Sequence, residues 1–180
     1  LLREPDPFKE SAVEITGQIK YHFSSKNRFF GGKDVNLDTE ACFFDSGHLY
    51  FLTKRLIGFS TDLYRLDLSK KEQVAEFVSE YQMNGMVTGA GISPDKKTLA
   101  VLTYSNIYLF SKLKDTDTFL SASPKTIDLS FGQAEAICFF DDFSLLITNE
   151  EGQILRIALP KETPPSTSPL PPVSQEDKVE

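Results

Sequence analysis

Tryptophan is absent from this chain, and cysteine, histidine and methionine occur twice each among 180 residues. Two cysteines allow one disulfide at most and cannot close a zinc site by themselves, so a disulfide-stapled scaffold is excluded. No apolar run approaches the ~20 residues that a membrane-spanning helix needs. Basic residues are in the minority: 19 Lys and Arg face 26 Asp and Glu, a net charge of −7 with neutral histidines. Such a chain has little to neutralise a row of phosphates, which argues against nucleic acid and anionic lipid as partners. There is no Walker loop, no G-x-G-x-x-G, no H-E-x-x-H and no G-x-S-x-G elbow. The first residue is Leu rather than Met and no signal peptide is visible, so a processed or partial chain is expected.

What is present is a one-domain length, 40% hydrophobic residues, 25% charged residues, and an aromatic complement of 15 Phe and 6 Tyr. Six of the 10 prolines (Pro160, Pro164, Pro165, Pro169, Pro171, Pro172) crowd into the last 21 residues. With almost no large apolar side chains that segment cannot offset its ordering entropy, so 160–180 reads as a disordered, extended tail with one P-x-x-P spacing at Pro169 and Pro172. Residues 1–11 read as an N-terminal extension.

Between them, residues 12–159 read as strands separated by turns. Val13, Ile15, Ile19, Tyr21 and Phe23 alternate with Glu14, Thr16, Gln18, Lys20 and His22, the period of a half-buried strand. Residues 69–81 also fit a helix through Val74, Phe77, Val78 and Tyr81, but strands on either side favour strand there. A repeat then fixes the architecture. EACFFDSGHLYFLTK from Glu40, GAGISPDKKTLAVLTY from Gly89 and EAICFFDDFSLLITN from Glu135 share a plan: short strand, acidic turn, second strand ending in Thr, polar loop, third strand. Asp45, Asp95 and Asp141 align, as do Thr53, Thr103 and Thr148. Four strands on a period in the forties is the signature of a β-propeller blade. The expected fold is all-β, with blades at about 35–86, 87–132 and 133–159. Strand 13–23 is expected to be the outer strand of a preceding blade. Three blades do not close a ring, which points to an incomplete propeller completed by missing blades or by self-association through exposed strand edges.

DTEACFF (38–44), VTGAGISPDKKTLAVLTYSNIYLF (87–110) and AEAICFFDDFSLLITNEEGQILRI (134–157) together resemble bacterial six-bladed propeller proteins of the esterase-like phytase and lactonase-like type. Such proteins show an acid-Ala pair opening the innermost strand, a V-T-G-A-x-I-S-P-D blade and an L-x-T-N-E ending. The resemblance implies an exported protein of a largely uncharacterised group, and a Ca²⁺-assisted phosphoesterase or esterase as one possible activity. Gly91 stands where that pattern has an acidic or larger residue.

In a blade the innermost strand starts at the face where the second strand ends, so the loops there gather at one mouth. That logic nominates Glu40, Thr88, Tyr104, Asn106, Glu135, Asn149 and Glu150 as a binding rim, with Lys54, Arg55, Ser105, Gln133 and Glu151 in the same loops. Glu40 and Glu135 share a repeat position, and carboxylates around a channel suit a hard cation, making them candidate Ca²⁺ ligands. The competing reading has each Glu accept backbone hydrogen bonds from its neighbours. Cys42 and Cys138 read as inert thiols buried near a blade core, and His22 and His48 as surface histidines. Phe29 and Phe30 in FFGGKD (29–34) read as a hydrophobic cover, and 112–125 as a flexible surface loop whose Asp115 and Asp117 mimic a calcium loop only in spacing. The function class that follows is a binding or scaffold module for a small molecule or protein, with the Ca²⁺-assisted hydrolase as alternative.

Overall fold

The structure, a computed structural model, describes residues 6, 8–9, 12, 14–24, 38–54, 60–112 and 118–160. Arg55, the FFGGKD segment, Asp115, Asp117 and the P-x-x-P tail lie outside them. The described chain is all-β, and its strands follow the repeat. The first sheet holds β2 (Thr39–Asp45), β3 (His48–Thr53), β4 (Ser60–Asp67) and β5 (Glu72–Gln82). The second holds β6 (Val87–Ile92), β7 (Thr98–Thr103), β8 (Asn106–Ser111) and β9 (Lys125–Asp128). The third holds β10 (Ala134–Asp141), β11 (Ser144–Asn149) and β12 (Ile154–Ala158). Each is an antiparallel meander of consecutive strands. Innermost strands lie side by side, β2 against β6 and β6 against β10, which is how propeller blades stack around an axis. The three sheets do not close into a ring.

Two cores separate the blades, because a strand buried on both faces reads as a continuous apolar run. Tyr50, Leu52 and Leu63 of the first blade meet Leu99, Val101 and Phe110 of the second. Ala100, Leu102 and Ile107 on the opposite face of the second blade meet Ile137, Leu145 and Ile147 of the third. The 112–125 insert is not a plain surface loop. Its Phe119 is fully buried, packing edge-on to Phe43 and Tyr50 at 5.0 Å each, with Leu120 beside it.

Within segment 69–81 the chain is strand from Glu72 onward rather than helix, in line with the flanking pattern. The expectation for 13–23 is corrected in two respects. Among the described residues of this segment the sheet strand is Lys20–Phe23 (β1), and it pairs within the first blade's sheet rather than with a preceding blade. It lines the outer edge of the first blade, parallel to β5 in the register Lys20↔Glu72 to Phe23↔Ala75. Aromatic packing accounts for the placement: Phe23 stands 4.8 Å from the Tyr64 ring and Tyr21 5.3 Å from that of Phe51, covering the blade's otherwise open apolar face.

The thiols are a second correction. Cys42 and Cys138 are both exposed. Cys42 pairs with Phe51 and Cys138 with Leu146, so they sit on the outward faces of the two end blades, where no neighbouring blade covers them.

Candidate functional site

Three irregularities at the same place in the repeat build the mouth. The pairs Thr39↔Thr53, Val87↔Thr103 and Ala134↔Asn149 open the innermost hairpins, and a β-bulge follows each one. The bulged residues are Glu40, Thr88 and Glu135. A bulge re-aims one side chain off the pleat, so the shared position of these three follows from backbone geometry as well as from sequence.

The partners of the pairs also share a task. Thr53 Oγ1 accepts the Asp62 N–H at 2.9 Å, Thr103 Oγ1 the Asn106 N–H at 3.1 Å, and Asn149 Oδ1 the Gln153 N–H at 2.9 Å. Each holds the loop that leads into the third strand. The structural equivalent of Thr53 and Thr103 is therefore Asn149, and the alignment on Thr148 was one residue short. Asn149 also donates through Nδ2 to the Phe131 carbonyl and to Gln153 Oε1, both at 2.9 Å, which leaves its amide engaged in the turn. Asn106 donates to Asp128 at 2.8 Å. Thr88 is buried and donates to the Ala134 carbonyl at 2.7 Å, tying the second blade to the third. These three nominated residues are framework of the mouth rather than its lining.

One residue further along stand Lys54, Tyr104 and Glu150, and these face the mouth. Lys54 Nζ donates to Glu40 Oε2 at 2.6 Å within its own blade and to the Tyr104 hydroxyl at 2.9 Å across to the next. The ammonium also lies 5.1 Å from the Tyr104 ring centroid. Burial by itself would lower the pKa of Lys54, but its hydrogen bonds to Glu40 and Tyr104 outweigh that and raise it. Glu135 is pushed up: first by burial, then by the Glu150 and Glu40 carboxylates and a hydrogen bond shared with Glu150, against the opposing pull of Lys54. Glu40, Lys54, Tyr104, Glu135 and Glu150 thus act on one another across three blades. Sequence reasoning placed Lys54 in the right loop but did not nominate it; its signal was the position just after the loop-holding Thr53, matching Tyr104 and Glu150.

The donors do not suit a divalent cation. An ammonium occupies the Glu40 carboxylate, and among the described residues no three His, Cys, Asp or Glu side chains are grouped so as to hold a metal ion. Neither histidine stands at the mouth: His48 opens β3 at the opposite end, its Nδ1 3.1 Å from the Ser46 carbonyl, and His22 lies exposed on β1.

No family model matches the chain, and no curated protein matches it. Among solved structures it is similar to the complex of KlAtg21 with the coiled-coil of AgAtg16, at 16% identity and a TM-score of 0.45, covering 71% of this chain and 42% of that one. The Myceliophteria thermophila Cps50 (Swd1) β-propeller domain follows at 14% identity and 0.39, with 67% and 38% covered. Kluyveromyces lactis Hsv2 shows 12% identity and 0.34, with 67% and 62% covered. The chain spans less than two thirds of the length of each. None of the three is of the phytase-like or lactonase-like type, and that resemblance gains no support from them. Among the described residues no helix is long and apolar enough to cross a membrane.

Proposed function

We propose that the chain is a binding module and that its ligand, a polar small molecule or a segment of another protein, sits at the mouth between Lys54 and the Glu135–Glu150 pair. The observation that supports it most is the split character of that rim. A lysine already satisfied by two partners stands beside two carboxyl groups, one of which, Glu135, is pushed up by burial and by the charge of the other. The pair can take a cationic or donor group, and Tyr104 offers a flat ring next to it. Binding asks less of these residues than hydrolysis does, since it needs no nucleophile paired with a general base. The Ca²⁺-assisted phosphoesterase reading would need Glu40 released from Lys54. Residues 12–159 form the module in this proposal, with 160–180 as a tail. Export from the cytoplasm belongs to it as well, on the strength of the Pro-, Ser- and Thr-rich tail and the propeller resemblance.

The test is a thermal-shift screen of amines, amino acids and short basic peptides against wild type, Glu135→Gln and Lys54→Met. Ligands that stabilise the wild type should lose their effect in Glu135→Gln. Hits that stabilise all three proteins equally would move the binding site away from the mouth.

A further inference from the structure

Each end blade has one sheet face with no neighbouring blade, and the two faces differ. On the first blade a segment from before β2 covers it, through Tyr21 on Phe51 and Phe23 on Tyr64. On the third blade no other described residue does. Directly paired residues share a face, so Ala136, Thr148 and Ile154 form one row there and Cys138, Leu146 and Arg156 the next. Phe140 joins them, its ring 4.3 Å from the Arg156 guanidinium. Ile154 is 73% exposed, Phe140 59%, and Cys138 is exposed as well. The matching positions of the second blade, Ala100, Leu102 and Ile107, are buried in the core against the third. A face of this kind is built to be covered.

The 20 residues from Lys161 to Glu180 follow directly. They leave the fold beside this blade, since β12 ends at Ala158 and the Leu159 N–H is still held by the Phe143 carbonyl at 2.7 Å. Fully extended they reach on the order of 60 Å, against roughly 20 Å for a six-residue strand such as β11, so they can turn back over the face. Pro169, Pro171 and Pro172 favour a left-handed polyproline helix, whose turn is three residues and about 9 Å. Leu170, Val173 and Glu176 fall on one side of such a helix: two apolar side chains, then a carboxylate. The face offers the complement. Arg156 contacts Asp141 and Ser144 through Nη2, which leaves Nε and Nη1 to donate to a carboxylate.

We propose that residues 169–176 of this chain dock in cis on the open face of the third blade, with Leu170 and Val173 against Ile154, Cys138 and Phe140 and Glu176 against Arg156. Alone, the segment has too little apolar surface to bury; the face supplies a partner for it. The stretches before β2 and after β12 then cover the two ends of the blade stack in the same manner. This site is independent of the mouth.

The test is alkylation of the purified full chain with N-ethylmaleimide, with Cys138 and Cys42 followed separately by peptide mass spectrometry. The double variant Leu170→Asp/Val173→Asp changes no residue of the blades. It should speed Cys138 labelling about ten-fold and leave Cys42, on the first blade, unchanged. Glu176→Arg should also speed Cys138, and adding Arg156→Glu should restore slow labelling. Equal Cys138 rates in the wild type and the double variant overturn the proposal and leave the face to a separate partner. Slow labelling that is lost on dilution overturns it as well and gives the face to a second copy.

Discussion

Lys54 and Tyr104 stand one repeat apart, and the ammonium of the first donates to the hydroxyl of the second at 2.9 Å across the seam between two blades. Because Lys54 also holds Glu40, it is at once the clasp of the mouth and the cation that restrains Glu135.

Replacing Lys54 with Met should therefore have two effects. Losing charge-assisted hydrogen bonds from a side chain that is 14% exposed should cost about 1–2 kcal/mol in urea unfolding. The Glu135 titration, followed by carboxyl NMR, should move further up, since the Lys54 charge that pulls it down is gone. An unchanged titration would mean that Lys54 does not share the field of the mouth.

The far end of the same seam is held by Asp45, 1% exposed, with Lys112 Nζ at 2.5 Å and Lys96 Nζ at 3.3 Å. Burial pushes the Asp45 carboxyl up, but its bonds to the two lysines outweigh this and leave it below the ordinary value. A carboxyl depressed by folding stabilises at neutral pH, and that contribution fades as pH falls from the unfolded value toward the folded one. Asp45→Asn should cost about 3 kcal/mol at pH 7, because it strands Lys112 in a partly buried site. The cost should shrink progressively as pH falls below the ordinary carboxyl value and through the depressed one, where the wild type loses the same interaction. Urea midpoints of both proteins along a falling pH series would show it.

Backbone approach is tightest where β6 meets β10. A Cβ on Gly89 would lie 3.2 Å from both the Ile137 N and its Cγ2, whereas one on Gly91 would clear its neighbours at 3.5 Å. Gly89→Ala should be destabilising by about 1–3 kcal/mol, since the backbone cannot step aside as a flexible side chain can. Gly91→Ala should be close to neutral. Equal effects in a pair of denaturation curves would contradict the inter-blade spacing.

Millimolar Ca²⁺ should leave the thermal midpoint where EDTA leaves it. A rise that grows with Ca²⁺ and vanishes in Glu135→Gln would instead restore the metal-assisted hydrolase as the better reading.

Strand identity was legible in the sequence because the second blade buries both faces, the end blades alternate between a covered and an open face, and the turns carry strong acid–Gly or Pro–Asp punctuation. Exact register was not. The bulges at Glu40, Thr88 and Glu135 add a residue to each innermost strand, and the third hairpin has another irregularity between Phe139 and Asp141. Counting on from the acidic turn residue, the step from Asp45 to Thr53 and from Asp95 to Thr103 leads from Asp141 to Asn149, so matching Thr148 by residue type missed the position, while the extra step before Asp141 aligns Cys42 with Cys138 although they occupy opposite sides of their blades. The mouth was found from topology, with Glu40, Tyr104, Glu135 and Glu150 brought together. Asn106 bonds Asp128 and Asn149 holds its turn, contacts the sequence did not reveal because an amide that holds a turn and an amide that faces a ligand look the same there. The parallel pairing of β1 had no local signal at all, since it depends on an aromatic face assembled from β3 and β4.

That parallel pairing also bears on the order of assembly. Among the described residues every other strand pair joins neighbours in the chain, so each blade can form by closing short loops, which costs little entropy and proceeds quickly. Lys20–Phe23 must wait for a partner that lies beyond the whole hairpin stack of the first blade. It is the one strand whose docking reports that the blade beneath it is finished, and the first that would peel away if that blade loosened.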